Sequence, residues 1–374
     1  MTRETVVVLG GGTSQLPYIT ALQALGFRVV SIDRDASAPA AKVAERFVVQ
    51  STHDLFGLKL AAEDITNDEN VLLFFSNSSH PNVATNVAEL NALCRSRVAS
   101  YSPDAVALSY DKSRLKARWR EVGLPTPAAW IYPAENRIVE QAFPCIVKPL
   151  SGMGSIGVAL CRSGDELYRY LEHIGQPCLV EDYVDGPELS VDGVVFDGCV
   201  RVISVADKRV GAVGRPFLPK RFALVGREAL AATYGDDMPY RIEEVTASAL
   251  AAIGLDHSQF SFDIKIDTGG IQLIECGPFW DCRIDRLLSF AGFEPYGWFM
   301  RALLRRELGS DGWVSGAAME FVYAEHAGVF DSSATRRNCP DCYWEFECRD
   351  GDPVVPPKSA ADVIAYRFIQ EATA

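Results

Sequence analysis

The sequence predicts an α/β protein in three successive parts: a doubly wound leading domain, a small α+β unit, and a larger body ending in a β-rich lobe. Three observations carry this. Residues 5–110 alternate short apolar runs with helix-like stretches, as in a parallel sheet covered by helices. Residues 128–180 hold strand signals around a single helix. From 182 onward, paired strand runs flank long helices, and the last sixty residues alternate apolar and polar positions. At 374 residues the chain is long enough for two or three domains around substantial cores.

In the leading part, 1–110, Val6–Leu9 is a buried strand and Gly10-Gly11-Gly12-Thr13 a turn into a helix over Gln15–Leu25. Gly26 stops that helix, and Phe27–Ile32 is the next strand, ending at Asp33. Val71–Phe75 and Val98–Ser100 are expected as later strands. A glycine loop, a helix and an acid after the second strand suggest a dinucleotide site. However, Gly10 to Gln15 lacks the third glycine of that fingerprint, so no redox cofactor is expected. Ser76-Asn77-Ser78 lies at a carboxyl strand end, where such sheets place ligands.

Asp111-Lys112-Ser113 opens a linker helix within 111–127, with Asp111 as its cap and Leu115 and Trp119 facing inward. Gly123-Leu-Pro-Thr-Pro127 ends it. The small unit, 128–181, is expected to have strands at 144–149, 157–161 and 177–181 and a helix at 164–174. The body, 182–374, is expected to have strands at 189–196, 199–206, 259–266 and 271–276 and helices at 239–253 and 283–305. Its final lobe, about 315–374, holds strand runs at Ala318–Tyr323 and Val363–Phe368.

The net charge of −13 argues against a general nucleic-acid or membrane-surface binder. No uninterrupted apolar run reaches transmembrane length. The first residues have neither the basic start nor the long apolar core of a signal peptide. Ten cysteines are scattered along the chain, several inside apolar runs, as in a reduced cytoplasmic protein without a disulfide framework. Cys339-Pro-Asp-Cys342 could be half a zinc site, but no second CxxC or nearby His pair accompanies it, so a plain turn is expected.

The chemistry concentrates in the middle of the chain. Lys148 ends a strand that otherwise reads as buried, and a buried lysine needs an anionic partner: a phosphate or a structural carboxylate. Ser151, Gly152, Met153, Gly154, Ser155 and Gly157 form a loop rich in glycine and serine and free of charge. Such a loop supplies backbone N–H groups and the mobility to close over phosphates. Leu179-Val180-Glu181-Asp182-Tyr183-Val184 follows, with Glu188 beyond. Asp263 and Glu275 sit in two strand runs joined by the turn Asp267-Thr-Gly-Gly270, so a hairpin can bring both carboxylates to one Mg²⁺. Lys208, Arg209, Arg215 and Lys220 make a basic stretch around a Gly/Pro-rich loop, suited to anions or simply solvated.

In this order the pieces resemble the ATP-grasp superfamily of carboxylate–amine ligases, over nearly the whole length. The resemblance implies an ATP-grasp fold with a leading Rossmann-like domain, a lid at 128–181 and a C-terminal β-rich lobe. It implies ATP and Mg²⁺ as cofactors, Lys112 and Lys148 on the phosphates, and the 151–157 loop over them. Glu181 would accept from the adenine amino group, backbone groups of Asp182, Tyr183 and Val184 would pair the ring edge, and Glu188 would hold the ribose. Asp263 and Glu275 would hold the metal. The family usually has Asn and then Arg two and four residues after the second acid; here these positions are Gly277 and Phe279. Arg283 is the candidate substitute for that arginine, with Lys208 and Arg215 as further catalytic candidates. The implied reaction forms an amide or peptide bond between small molecules, amino acids foremost, and releases ADP and phosphate. A carboxylate and an amine are then the partners, and the resemblance is compatible with a homodimer. Two alternatives remain: a purine-pathway bicarbonate ligase, and an ATP-binding regulator that has lost catalysis.

Overall fold

The computed structural model describes residues 3–371 apart from 97, 133–140, 153–155, 213–214, 306, 308, 310–311 and 338. Four strands, β1 (Glu4–Leu9), β2 (Arg28–Asp33), β3 (Arg46–Val49) and β4 (Asn70–Phe75), form a parallel sheet in the order β3-β2-β1-β4. Helices α1 (Leu16–Ala24), α2 (Leu55–Asp68), α3 (Pro81–Leu93) and α4 (Pro103–Tyr110) accompany it. The strands read as continuous apolar runs because both faces are covered. Val7 and Leu9 enter one core, and Val6 and Val8 enter the other.

Two expectations change here. Val98–Ser100 is not a strand. Ser96 bends the chain and donates from its hydroxyl to Leu72 O at 2.7 Å and Val98 O at 3.2 Å. The outer strand is instead β3, whose short half-exposed run carries a weak signal.

Helix α5 (Lys112–Glu121) follows, capped as expected by Asp111, which accepts from Ser113 N and Arg114 N at 3.0 and 3.1 Å. Trp119 is fully buried and stacks on Phe262 at 5.9 Å, which docks this helix on the large sheet. The small unit is a four-stranded antiparallel sheet, β5 (Ala129–Tyr132), β6 (Cys145–Pro149), β7 (Ala159–Cys161) and β8 (Cys178–Asp182), in the order β5-β8-β6-β7. Its single helix is α6 (Gly164–Ile174), and it has its own small core around Val147, Val180 and Leu171.

The body is one eight-stranded sheet. It comprises β9 (Glu188–Phe196), β10 (Cys199–Ala212), β11 (Arg215–Leu224), β12 (Ser258–Asp267), β13 (Gly270–Gly277), β14 (Ala317–Val322), β16 (Tyr343–Phe346) and β18 (Ala365–Gln370), in the order β13-β12-β9-β10-β11-β14-β18-β16. The short strands β15 (Gly328–Val329) and β17 (Pro353–Val354) pair separately. Helices α7 (Arg227–Tyr234), α8 (Met238–Ile253), α9 (Cys282–Phe290), α10 (Pro295–Arg305) and the short α11 (Ser332–Arg336) complete it. Among the described residues no helix is long and apolar enough to cross a membrane.

The basic stretch before Phe222 is therefore a strand, not a loop. Bulges near Arg209 and Val210 let Pro219 face Val210 without a broken ladder. The expected helix over 283–305 divides in two. Gly292, at φ +87°, ends α9 in the left-handed region, and Pro295 starts α10. The Cys339–Cys342 turn is present, and its two sulfurs form a disulfide, which the scattered-cysteine argument did not anticipate.

Candidate active site

Cross-strand register assembles the acidic half of the site. Asp263 lies directly opposite Glu275 in the β12–β13 pair, and opposite Ser190 of β9 on its other side. Glu188 faces both Lys208 of β10 and Lys265 of β12. Directly opposed residues point to the same face, so Glu188, Lys208, Asp263, Lys265 and Glu275 share one surface. Lys208 Nζ reaches Asp263 Oδ1 at 2.7 Å and Glu188 Oε1 at 3.0 Å. Burial alone would lower the Lys208 pKa, but Asp263 and Glu188 outweigh it and hold it above the ordinary lysine value.

The small unit supplies the opposing half. Lys148 and Glu181 lie on the same face of adjacent strands β6 and β8, two residues apart in register. Lys148 Nζ sits 2.7 Å from Glu181 Oε1, with both side chains 4% exposed. The other oxygen, Oε2, faces Lys116 Nζ from α5 at 3.0 Å. Burial would raise Glu181, yet the two lysines outweigh it and keep the carboxyl below its usual range. Burial would lower Lys148, but Glu181 and then Glu275 reverse the sign and raise it. Lys116 has less compensation: burial pushes it down to about 8.

Lys112, buried at the start of α5, donates to Gly152 O at 2.6 Å and lies 3.5 Å from Glu275 Oε1. It thereby joins the glycine loop to β13. Ser151 and Gly152 are exposed, and Gly152 takes φ +114°, a conformation suited to glycine. At the far end Gly157 has φ +70°, and its carbonyl accepts from Tyr170 Oη at 2.6 Å. Met153, Gly154 and Ser155 lie outside the described residues, as does the side chain of Arg215; its backbone opens β11 opposite Ala212.

Between the small unit and the body, Asp182 N donates to Ala128 O at 2.9 Å and Tyr183 N to Pro144 O at 3.3 Å, which fixes the connecting backbone. Lys265 Nζ donates to Val184 O at 3.1 Å and Gly186 O at 3.2 Å and covers the Tyr183 ring at 5.2 Å. Arg283, at the start of α9, forks onto Asp281, with Nε 2.6 Å from Oδ1 and Nη2 against Oδ2. Its guanidinium lies 5.6 Å from the Phe222 ring centre and 5.8 Å from that of Phe321. Lys208 lies 5.5 Å from the same Phe222 ring, so Arg283 adjoins the acidic half.

Sequence reasoning missed Lys116 and Lys265. Lys116 had a signal: Lys112, Leu115, Lys116 and Trp119 fall at the 3–4 spacing of one helix face, so two lysines share a stripe with buried residues. Lys265 alternates with Asp263 along β12, which puts it on the acidic face. The leading glycine loop uses its donor internally: Gly11 N donates to Asp33 Oδ2 at 2.7 Å.

The donor set can be tested against nucleotide and metal. Among the described residues no three or more His, Cys, Asp or Glu side chains gather as a ready metal cage. Two facing carboxylates suffice for Mg²⁺ when phosphate oxygens and water complete its octahedron. On the lid side one carboxylate answers two buried ammonium groups, an excess of positive charge that suits a phosphate. The residues therefore fit Mg-nucleotide better than a metal ion alone.

The family model of the ATP-grasp domain matches residues 109–275. The L-amino acid ligase from Bacillus licheniformis superposes with a TM-score of 0.79 at 15% identity, covering 99% of this chain and 94% of that one. A D-alanine–D-alanine ligase of Alcanivorax borkumensis is 43% identical over 90 residues, 23% of this chain and 29% of that protein. A formate-dependent phosphoribosylglycinamide formyltransferase of Bacteroides thetaiotaomicron is 26% identical over 220 residues, 55% of this chain and 52% of that protein. The matched stretches thus span about half or less of these two relatives' lengths.

Proposed function

We propose that the chain, whose residues 109–275 match the family model of the ATP-grasp domain, is an ATP-dependent carboxylate–amine ligase joining small molecules, with amino acids as the favoured substrates. The carrying observation is the opposition of the Lys148–Glu181–Lys116 cluster on the lid side to the facing pair Asp263 and Glu275.

Lys112 and Lys148 pair with the phosphates, and the 151–157 loop closes over them. Glu181 and the backbone of Asp182 to Val184 line the adenine, and Glu188 takes the ribose. Asp263 and Glu275 hold Mg²⁺, which when bound spreads the charge of the β- and γ-phosphates. A substrate carboxylate oxygen attacks the γ-phosphorus, the bond to the bridging oxygen breaks, and ADP leaves. The amine nitrogen of the second substrate then attacks the acyl carbon, releasing phosphate and a proton. The protein contributes alignment and charge neutralisation, not a covalent nucleophile.

The ground beside Lys208 supports an amino acid as substrate. Arg283, held on Asp281 and set beside the Phe222 ring, is the guanidinium that would meet a substrate carboxylate there. Arg215 belongs to the same strand as Phe222 and is the further basic candidate.

Nucleotide products decide the reaction type. Incubation with Mg-ATP and a panel of amino acids is expected to release ADP and phosphate, read by phosphorus NMR. AMP and pyrophosphate would refute γ-phosphoryl transfer.

A further inference from the structure

We propose that Lys116 is a positioning residue for nucleotide binding: it never touches the nucleotide, but through Glu181 it sets where Lys148 stands. This rests on the cleft being an ATP site. Lys116 has no exposed surface, and its ammonium group is taken up by protein groups. Its ammonium group meets three separate parts of the fold. Glu181 Oε2 of β8 lies at 3.0 Å, Thr126 Oγ1 of the segment leading into the lid at 3.0 Å, and Leu273 O of the metal strand β13 at 3.4 Å. The Thr126 hydroxyl donates in turn to Leu273 O at 2.7 Å, and Leu273 N donates to Pro125 O at 2.8 Å. One lysine therefore ties the linker helix, the entry to the lid and the strand of Glu275 together.

The consequence for Lys148 follows from how Glu181 divides its oxygens. Oε2 faces Lys116 and Oε1 faces Lys148. With Lys116 in place the carboxylate is shared, and Lys148 keeps charge to spare for a phosphate. Without it, Glu181 is free to turn both oxygens onto Lys148 and draw its ammonium group away from the cleft. A bound phosphate favours the charged form of Lys116, so nucleotide and proton should reinforce each other.

The charged groups around Lys116 are Glu181 on β8, Lys148 on β6 and Glu275 on β13. Burial is the largest influence and brings it to about 8, with Glu181 and Glu275 opposing and Lys148 adding to the fall. As pH rises through that value the ammonium becomes neutral, and Glu181 is left to Lys148.

The experiment measures Mg-ADP binding by calorimetry from pH 7 to 9, together with steady-state kinetics. Coupling of this size within one buried network supports a dissociation constant about tenfold weaker for Lys116→Met at pH 7. KM for ATP should rise similarly, while KM for the carboxylate and amine substrates stays within about twofold. Wild-type affinity should weaken between pH 7 and 9, and that of Lys116→Met should not change with pH. If Lys116→Met does not fold, Thr126→Val decides: it removes one Lys116 partner and should weaken ADP binding in the same direction while circular dichroism shows the protein still folded. Wild-type affinity and pH profile in whichever variant folds overturns the role of Lys116. Failure of the wild-type protein to bind Mg-ADP at all overturns the ATP site instead.

Discussion

Glu181→Gln tests the charge arrangement of the lid most directly. The substitution preserves shape and removes only the charge shared by Lys116 and Lys148, whose side chains are 0% and 4% exposed. Removing one partner of a buried ion pair costs about 3–5 kcal/mol. An independent bound agrees: a stranded lysine can release its proton, and for an ordinary pKa near 10.4 that costs about 4–5 kcal/mol at pH 7. Lys116 already sits at about 8, so the larger share falls on Lys148, which Glu181 and Glu275 now hold above its usual value.

The sign of the pH dependence follows. In the variant, the folded lysine pKa values lie below the unfolded ones, so the unfolded chain binds more protons. Stability therefore rises with pH across the window between folded and unfolded values. The deficit should be largest near pH 7 and shrink by pH 9.5. Urea denaturation and scanning calorimetry at both pH values measure it; at about 2–4 °C per kcal/mol the melting point should fall by roughly 10 °C at pH 7. A variant within about 1 kcal/mol of wild type at pH 7 would refute the reasoning. So would a deficit that grows toward pH 9.5.

Two further outcomes are expected. Glu275→Gln alters a side chain that is 34% exposed, so stability should hold within about 0.5 kcal/mol. ADP-forming turnover should nevertheless fall at least about 100-fold through loss of metal charge; calorimetry with and without Mg²⁺ locates the defect, and near-native turnover would place the metal elsewhere. Arg283→Lys keeps the charge but loses the fork on Asp281, and should raise KM for the carboxylate or amine substrate by about tenfold at constant KM for ATP. Kinetics with each substrate varied separately would leave Arg283 a structural residue if both values match wild type.

Much of the fold was legible because local chemistry marks it. Asp111 caps its helix because a carboxylate can satisfy the N–H groups of Ser113 and Arg114 without distant help. The Asp263–Glu275 hairpin was readable because two apolar runs flank Asp267-Thr-Gly-Gly270. Elements marked only weakly along the chain were not: β3 is a half-exposed edge, and β11 carries prolines that bulges accommodate. The break at Gly292 and Pro295 was written plainly, yet the apolar periodicity on either side disguised it.

The sequence by itself determined the order of the parts: capped helix, buried strand ending in Lys148, glycine loop, acidic hinge and two carboxylate strands. Each depends on neighbours within a few residues, where spacing and residue type decide geometry. Only the tertiary structure decided the pairing of charges across them. Lys148 and Lys116 could each have stood alone, met separate acids or faced solvent. Both meet Glu181, which is 33 residues from the first and 65 from the second. Arg283 likewise takes Asp281 and the Phe222 and Phe321 rings, two residues away in one case and scores of residues away in the others. Electrostatic strength depends on separation in space and on burial, and neither is a property of any short stretch of chain.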